Sequence, residues 1–391
     1  MSARIYADHA ATTPVREEVL AAMLPYFAAA GFNASSLHAE GRAARAALDG
    51  ARDSVARSLG AHPREIVFTG GGSEADNLAV IGAARASLGP RRIVTAATEH
   101  PAVLNAAAVL RAEGYEVTVL EVDRDGRVDP AAFAAALEPG AAVASIMLAN
   151  NEIGALAPIA KLAAIARARG VVFHTDAVQA PGRVALDVNA LGVDLLAISA
   201  HKFYGPKGVG ALYVRAGTPV TPLIVGGGQE AGLRSGTENV AGIVGLARAL
   251  ELAVSELPAE TARLRRIRDA FEADISARIP GSAINGAGGE RLPNISSIAF
   301  PGVDAPTLLV RLDLEGIAVS AGSACAAGAT EPSHVLEALG VERAAALGTI
   351  RFSFGKLTSE QDVERLAVML GIALRQIESA STDQLTAVPR F

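Results

Sequence analysis

The chain has 391 residues, more than one compact core usually holds, so two domains are the default expectation. Half of its residues are hydrophobic, 19% are charged, and no apolar run is long and uncharged enough to cross a bilayer, as is typical of a soluble enzyme. The net charge of -6 and the lack of Lys/Arg blocks argue against nucleic acid or an anionic membrane as partner.

Two further features narrow the class of protein. Arg4, Asp8 and His9 interrupt the apolar stretch that a signal peptide needs, so a cytoplasmic location is expected. The single cysteine, Cys325, excludes an internal disulfide and a multi-cysteine metal site, and no metal is expected.

A glycine loop lies between the first predicted strand and a helix. Residues 14–30 predict a helix, a second helix runs to about Leu59, and the strand-like Glu65–Thr69 leads into the loop Gly70–Asn77. Such a loop offers free backbone N–H groups and the positive end of a helix dipole to a phosphate. It is neither a Walker loop nor a spaced dinucleotide fingerprint, so a plain tight turn explains it nearly as well.

The alternation of strands and helices continues, with strands predicted at 92–96, 115–122, 142–148, 171–175 and 195–199. This pattern predicts an α/β fold with a mainly parallel sheet flanked by helices. Ligands of such sheets bind beyond the carboxyl ends of the strands. The candidate residues that directly follow an apolar run are Ser73, His100, Asn151, Asp176, Gln179 and Lys202.

The last third of the chain predicts a smaller α+β domain. The pattern from Val240 to about Arg278 is a long helix, which we interpret as the bridge to it. Strands are expected at 294–300, 317–320 and 349–354, and helices at 305–314 and from Thr358, where Gln361 completes a capping box. We assign residues 14–254 to the large domain, and residues 1–13 and 255–391 to the small one.

Lysine is rare in this chain and therefore informative: the four lysines are Lys161, Lys202, Lys207 and Lys356. Lys202 emerges from the apolar run Asp194–Ser199, where its amine is poorly solvated. Desolvation lowers the pKa of an amine, and a neutral amine can form a Schiff base with a carbonyl, which a guanidinium cannot do. A salt-bridged lysine at a strand end fits this stretch equally well.

Asp176 follows a predicted strand, where a carboxylate could keep a pyridine nitrogen protonated. That interaction makes pyridoxal phosphate an electron sink. His174 and Asp176 share a strand face, so a metal pair is an alternative, although no cysteine or third spaced histidine supports it. For His100, considered by itself, the alternative interpretation is a histidine of the hydrophobic core. A reactive lysine, a carboxylate and a phosphate loop are three separate needs of pyridoxal phosphate, and the chain meets each of them at a strand exit.

Several motifs together resemble the cysteine desulfurases, which are pyridoxal-phosphate enzymes related to the class V aminotransferases. The motifs are Glu99-His100, Asn150-Asn-Glu-Ile-Gly154, Asp176-Ala-Val-Gln179, Ser199-Ala-His-Lys202, Gly205-Pro-Lys-Gly208, Arg234-Ser-Gly-Thr-Glu-Asn239 and Gly322-Ser-Ala-Cys325. The resemblance implies a homodimer with the fold type I architecture of pyridoxal-phosphate transferases. It also implies an enzyme that takes sulfur from L-cysteine, releases L-alanine and keeps a persulfide.

The resemblance assigns roles to individual residues. Lys202 would bind the cofactor and abstract the α-proton, and His100 would stack on the pyridine ring and assist proton transfer. Asp176 would pair with the ring nitrogen and Gln179 with the phenolic oxygen. The phosphate cradle would comprise Gly72, Ser73, Ser199, His201 and the partner subunit's Thr237. The clamp on the substrate carboxylate would comprise Arg351, Asn151 and Asn33.

Cys325 would be the nucleophile, on a loop of about 321–332 rich in glycine and alanine. The alternative for a lone thiol is a buried, inert cysteine, for which such a loop is a poor place. The acceptor of the sulfur would be a protein, with an iron–sulfur scaffold as one candidate. Rival functions are a related aminotransferase, a selenocysteine lyase and a non-catalytic sulfur-transfer scaffold.

Overall fold

The computed structural model describes residues 4–28, 31–322 and 331–386. The strands are β1 (Ile5–Tyr6), β2 (Ile66–Thr69), β3 (Arg92–Ala96), β4 (Glu116–Leu120), β5 (Val143–Ser145), β6 (Val172–Asp176), β7 (Leu195–Ser199), β8 (Gly210–Val214), β9 (Ala283–Ile284), β10 (Ile295–Ala299), β11 (Ile317–Ala318) and β12 (Thr349–Ser353). The helices are α1 (Glu17–Met23), α2 (Ala39–Leu59), α3 (Gly72–Ala86), α4 (Pro101–Ala112), α5 (Pro130–Ala136), α6 (Ile159–Arg167), α7 (Val188–Leu191), α8 (Val240–Arg278), α9 (Ala305–Leu314), α10 (His334–Ala338), α11 (Arg343–Leu347) and α12 (Glu360–Thr386).

The central sheet has seven strands in the order β2-β8-β7-β6-β5-β3-β4. Its strand pairs are parallel except at β8, which runs antiparallel to both β2 and β7. Strand β7 is buried along its whole length, as expected for a strand covered on both faces. The predicted α/β fold class with a mainly parallel sheet is confirmed.

Strand β8 is absent from the sequence prediction, because Gly208 and Gly210 interrupt its apolar pattern. The glycine at its start has a packing reason. A Cβ on Gly210 would lie 2.7 Å from the backbone carbonyl carbon of Gly71. The strand therefore passes directly against the glycine loop that precedes α3.

Two details of the predicted helices are wrong: the extent of the first helix and the position of the α12 capping box. The helix predicted at 14–30 is the shorter α1 followed by a 3₁₀ turn at Leu24–Phe27, because Pro25 has no N–H to continue the α-helical pattern. The capping box of α12 lies one residue further on than predicted. Ser359 Oγ accepts from the Asp362 amide at 3.1 Å, and the Asp362 carboxylate accepts from the Ser359 amide at 2.9 Å.

Helix α8 contributes to two hydrophobic cores, in keeping with its predicted role as a bridge. Its first half, with Ile243 and Leu246, packs in the core under the central sheet. Its second half, with Leu264, Ile267 and Phe271, packs in the core around β10 and β12. The proposed boundaries of the two domains stay a prediction.

The N-terminal segment links these two cores. Strand β1 pairs in parallel with β11, and Asp8 bridges to Ser353 beside β12. Further on, Ala10 belongs to the core of the central sheet, and the amide of Thr13 donates to the carbonyl of His201 at 2.9 Å. Residues 8–13 therefore lie across the carboxyl end of the sheet.

Within the described ranges, no helix combines the length and the apolar content that spanning a bilayer requires.

A substitution at Phe271 tests the assignment of the second core, the one around β10 and β12. It is 1% exposed, with its ring centroid 4.9 Å from that of Phe352 and 5.3 Å from that of Phe354. We expect Phe271→Ala to lower the free energy of unfolding by about 3–5 kcal/mol in urea titrations, because the lost ring leaves a cavity. The matched control is Leu314→Ala on α9, where the side chain is 75% exposed and the change should stay within about 0.5 kcal/mol. Equal losses in the two variants would contradict the assigned core.

Candidate active site

A cavity of about 290 Å³ lies at the carboxyl ends of the central strands. Ten of the residues singled out from the sequence line it: Gly72, Ser73, His100, Asn151, Asp176, Gln179, Ser199, His201, Lys202 and Arg351. They come from the start of α3, the N-cap of α4, strand β12, the last residues of β6 and β7, and the segments that follow β5, β6 and β7. A position beyond the strand ends is where ligands of parallel sheets bind.

Lys202 ends a 3₁₀ turn that follows β7. Its Nζ donates to the carbonyl oxygens of Ala10 at 2.7 Å and Ala11 at 2.8 Å. Burial, together with the positive charges of Arg351 and Arg183, lowers the pKa of this amine to about 8. In the described part of the chain no carboxylate lies within 4.0 Å of Nζ, so the alternative of a salt-bridged lysine is not supported.

The start of α3 forms one wall of the cavity. Its cap, Gly71, has a φ of +154° and a ψ of -176°, a conformation that essentially only glycine adopts. A Cβ on Gly72 would lie 2.8 Å from Val178 Cγ2, so only a glycine lets the helix start so close to the segment after β6. The amides of this first turn have no acceptor within the helix and are free for an anion.

An adjoining and more open cavity of about 530 Å³ shares this wall. Its lining includes Gly72, Ser73, Ser199 and His201 together with Lys207. His201 Nδ1 lies 3.1 Å from Thr12 Oγ1. Burial, together with the charges of Lys202 and Lys207, lowers the pKa of His201 to about 4, so the imidazole is neutral at pH 7. The four predicted cradle residues of the chain itself therefore lie together.

Asp176 and Gln179 follow β6. One carboxylate oxygen of Asp176 accepts from the Val178 amide at 2.8 Å. Burial raises the pKa of Asp176, while His100 and Lys202 act in the opposite direction. Gln179 Nε2 donates to the Ala10 carbonyl at 2.9 Å, and its Oε1 has no hydrogen-bond partner among the described residues. A buried amide oxygen without a partner is unfavourable and favours a polar ligand at this point.

His100 caps the N-terminus of α4. Its Nδ1 accepts from the Ala102 amide at 3.1 Å, so the proton of the neutral ring is on Nε2. Burial lowers the pKa of His100, although the charge of Asp176 acts against this shift. The ring lines the cavity as a neutral imidazole with one N–H group, so it is not merely a core histidine.

Two buried carboxyl groups near Asp176 were given no role in the sequence analysis: Asp76 was not singled out, and Glu99 was named only as part of a motif. Asp76 lines the cavity and Glu99 accepts from the Met147 amide at 2.7 Å; burial raises the pKa of both well above the usual range. His174 Nδ1 lies 2.8 Å from Ser145 Oγ, and its Nε2 lies 3.6 Å from Asp76 Oδ1. Among the described residues no group of three or more His, Cys, Asp or Glu side chains is arranged to hold a metal ion.

Arg351, on β12, forms the opposite wall and is 1% exposed. One of its terminal nitrogens donates to Asp8 Oδ1 at 2.8 Å and the other to the Asn151 carbonyl at 3.0 Å, while Nε has no partner. The planar guanidinium therefore keeps unused N–H donors beside the Asn151 side chain, a suitable arrangement for a carboxylate. Asp8 was missed because nothing near it in the sequence points to Arg351.

Two predicted site residues do not line the cavity, and a third is not among the described residues. Asn33 is exposed, and its Oδ1 accepts from the Ser35 amide at 2.8 Å. Thr237 is also exposed and does not line the cavity of its own chain. Cys325 lies outside the described residues. The roles expected of these three residues stay predictions.

The described residues on either side of 323–330 contact the cavity walls. Ser320 exchanges backbone hydrogen bonds with Arg351 at 2.7 and 3.3 Å. Glu152, beside Asn151, is 1% exposed and accepts from Ser333 Oγ at 2.5 Å, and a Cβ on Gly322 would lie 3.0 Å from the same carboxyl group. Glu152 therefore lies against residues on both sides of the segment 323–330. In the sequence, only its place in the Asn150–Gly154 motif could have suggested this role.

Comparison with known proteins shows the family. The class-V aminotransferase family matches residues 5–366. The chain is 47% identical to "Cysteine desulfurase IscS" of Dictyoglomus turgidum over 98% of this chain and 96% of that protein. It is 43% identical to "Cysteine desulfurase NifS" of Azotobacter vinelandii over 97% of this chain and 94% of that protein.

Solved structures agree with this result. A "NifS-like protein" superposes with a TM-score of 0.88 at 36% identity, covering 95% of this chain and 99% of its own. A structure described as "SspA in complex with cysteine" gives a TM-score of 0.79 at 36% identity, over 90% of this chain and 98% of its own. The chain therefore belongs to the class-V aminotransferase family and, within it, to the cysteine desulfurases.

Proposed function

We propose that this chain is a pyridoxal 5′-phosphate-dependent cysteine desulfurase. It removes sulfur from L-cysteine, releases L-alanine and retains the sulfur as a persulfide on Cys325. The observation that carries the proposal is the buried amine of Lys202, with its pKa lowered to about 8, in one cavity with the Asp176 carboxylate and the glycine-bounded start of α3. The similarity to proteins named cysteine desulfurase supports the choice of substrate.

The residues of the cavity fit pyridoxal phosphate. The amine of Lys202 suits its aldehyde, the first turn of α3 suits its phosphate, and Asp176 suits its ring nitrogen. The unpartnered Oε1 of Gln179 leaves a buried polar group for the cofactor to satisfy. When bound, the cofactor supplies an electron sink for negative charge at Cα of the substrate.

We assign the binding residues accordingly. Lys202 would hold the cofactor covalently, and His100 would pack on its ring. Asp176 and Gln179 would bind the ring nitrogen and the phenolic oxygen. The phosphate is held by Gly72, Ser73, Ser199, His201 and the partner subunit's Thr237. The exposure of Thr237, outside the cavity of its own chain, supports this homodimer, in which one subunit completes the site of the other.

The substrate is oriented by its carboxylate. Arg351 and Asn151 bind this group, with Asn33 as a further expected contact. The bond from Arg351 to Asp8 holds the guanidinium in one orientation and compensates its buried charge. Once the substrate amine has displaced Lys202 from the cofactor, the freed Nζ would take the α-proton, and the N–H of His100 Nε2 would assist proton transfer.

Cys325 carries out the sulfur transfer. Its thiolate attacks the sulfur of the bound L-cysteine, so an S–S bond forms while the substrate Cβ–S bond breaks. The electron pair of that bond stays on the substrate carbon, which takes up a proton and becomes L-alanine. The sulfur then passes to an acceptor protein, for which an iron–sulfur scaffold is our proposal.

The cytoplasmic location and the division of the chain into two domains also stay proposals.

Replacing the thiol tests the sulfur chemistry. We expect Cys325→Ser to lower sulfide release from L-cysteine by about a hundredfold or more, because a hydroxyl cannot replace the thiolate as nucleophile. The yellow absorbance of the bound cofactor should remain. The wild-type peptide containing residue 325 should gain the mass of one sulfur atom, and this assignment is clean because the chain has one cysteine.

The control for this experiment is Lys202→Ala, which should lose both the cofactor absorbance and the borohydride-fixed adduct. Unchanged sulfide release by Cys325→Ser would favour the related aminotransferase instead. Wild-type protein that forms neither alanine nor a persulfide would favour a non-catalytic scaffold. Faster release of selenide than of sulfide would favour a selenocysteine lyase.

The uptake of pyridoxal phosphate should depend on pH. Only the neutral amine of Lys202 can attack the aldehyde, and its pKa in the cofactor-free chain is about 8. The rate of uptake should therefore rise about tenfold per pH unit below pH 8 and level off above it. Stopped-flow absorbance of cofactor-free protein measures this rate. A midpoint near 10.5, the ordinary lysine value, would contradict the assigned environment of the amine.

A further inference from the structure

Arg183 is a buried cation that forms no ion pair in the described part of the chain. The residue is 4% exposed and lines a second cavity, which Tyr204 and Glu260 also line. In the described part of the chain no carboxylate lies within 4.0 Å of its nitrogens, and Nε has no hydrogen-bond partner. Burying a charge without a partner costs several kcal/mol by general estimates, so a residue of this kind calls for an explanation.

The contact that Arg183 does make leads to the reactive lysine. One terminal nitrogen donates to the backbone carbonyl of Lys202 at 2.9 Å and to that of Pro181 at 3.3 Å. A neutral side chain with an N–H group could make this hydrogen bond, so the contact alone does not account for the charge.

The turn that carries Lys202 is strained and needs support. Tyr204 has a φ of +67°, which is an outlier for a bulky residue. Its amide donates to Thr13 Oγ1 at 2.6 Å, and its hydroxyl accepts from the Lys356 amide at 2.6 Å. The hydrogen bond from Arg183 holds the turn from a third side.

Arg183 itself is fixed by the surrounding backbone. Its amide donates to the Ala180 carbonyl at 3.0 Å, and its carbonyl accepts from Thr261 Oγ1 of α8 at 3.1 Å. The guanidinium therefore has a defined place relative to the 3₁₀ turn at residues 200–202.

Four charged groups dominate the field at Lys202 Nζ: Arg351, Arg183, Asp176 and Asp8. The two arginines lower the pKa of Lys202 and the two aspartates raise it, while burial has the largest effect. Arg351 is paired with Asp8, which offsets part of its charge at close range. Arg183 forms no such ion pair among the described residues. Burial lowers the pKa of Arg183, and Tyr204 and Glu260 act in the opposite direction.

We propose that Arg183 is a positioning residue for Lys202: it holds the backbone carbonyl of the turn, and its guanidinium adds a positive charge to the surroundings of the amine. The inference rests on the proposed function only in that this amine is the one that binds the cofactor. It gives a reason for keeping a buried cation that forms no ion pair among the described residues.

The low number of lysines makes a direct test practicable. Trace labelling of the cofactor-free chain with acetic anhydride from pH 6 to pH 10, followed by peptide mass spectrometry, reports each of the four lysines separately. The exposed Lys161, on α6, serves as the internal reference. The labelling midpoint of Lys202 in the wild-type chain should lie near 8.

Two variants separate the charge from the hydrogen bond. Arg183→Gln removes the charge and keeps an N–H donor, whereas Arg183→Met removes both. We expect both variants to move the Lys202 midpoint up by about half a pH unit or more, because a nearby positive charge is lost. Arg183→Met should also take up pyridoxal phosphate more slowly at every pH, because the turn loses a support.

The matched control is Arg215→Met. Arg215 also donates to backbone carbonyls, those of Val188 and Val193, but it does not line the cavity. Its variant should leave the Lys202 midpoint unchanged. An unchanged midpoint in both Arg183 variants, or an equal shift in Arg215→Met, would overturn the proposal.

The labelling experiment does not require the cofactor. The proposed function and the proposed role of Arg183 can therefore be refuted independently of each other. Wild-type protein that never takes up pyridoxal phosphate would refute the proposed function, while the midpoints would still decide the role of Arg183. If Arg183→Met does not fold, as judged by circular dichroism, Arg183→Gln alone decides the effect of the charge.

Discussion

The constraint on which this site depends is the burial of one amine among carbonyl groups and cations, with no carboxylate to pair with it. The carbonyls of Ala10 and Ala11 accept hydrogen bonds from Lys202 Nζ but do not stabilise a positive charge as an ion pair does. Burial and the nearby arginines then disfavour the protonated state. Because its pKa is lowered in this way, Lys202 can react as a neutral amine near neutral pH.

A similar balance of burial and charge acts on the carboxyl groups on the other side of the cavity. Asp76, Glu99 and Asp176 are all buried, and the charge of Asp176 raises the pKa of both Asp76 and Glu99. Of the three, only Asp176 has both His100 and Lys202 to lower its pKa. The negative charge of this cluster is therefore favoured on Asp176, the residue proposed to pair with the ring nitrogen of the cofactor.

Features set by local sequence were predictable. Strands β3 and β7, helix α9 and the long helix α8 lie at the predicted residues, since an uninterrupted apolar run or an amphipathic period marks each of them. Lys202 and Asp176 were predictable because each directly follows such a strand. Strand β8 was not, because its glycines serve a close approach to Gly71 that the pattern of β8 alone does not reveal.

Features set by distant contacts were not predictable from pattern. Asp8 is bonded to a residue 343 positions away, and Arg183 and Asp76 look like ordinary surface charges until the fold buries them. Arg351 was named only through the family resemblance, because arginine is abundant in this chain. Residues of this kind are identified by what surrounds them in space, which periodicity does not encode.

The contact between β12 and the segment after β1 has a consequence for biosynthesis. Asp8 and His9 contact Arg351 and Ser353, so the clamp proposed for the substrate carboxylate joins residues 343 positions apart. A nascent chain on the ribosome can form most of the central sheet, yet it cannot build this clamp until β12 has left the exit tunnel. The proposed substrate site is therefore assembled after the central sheet has been synthesised.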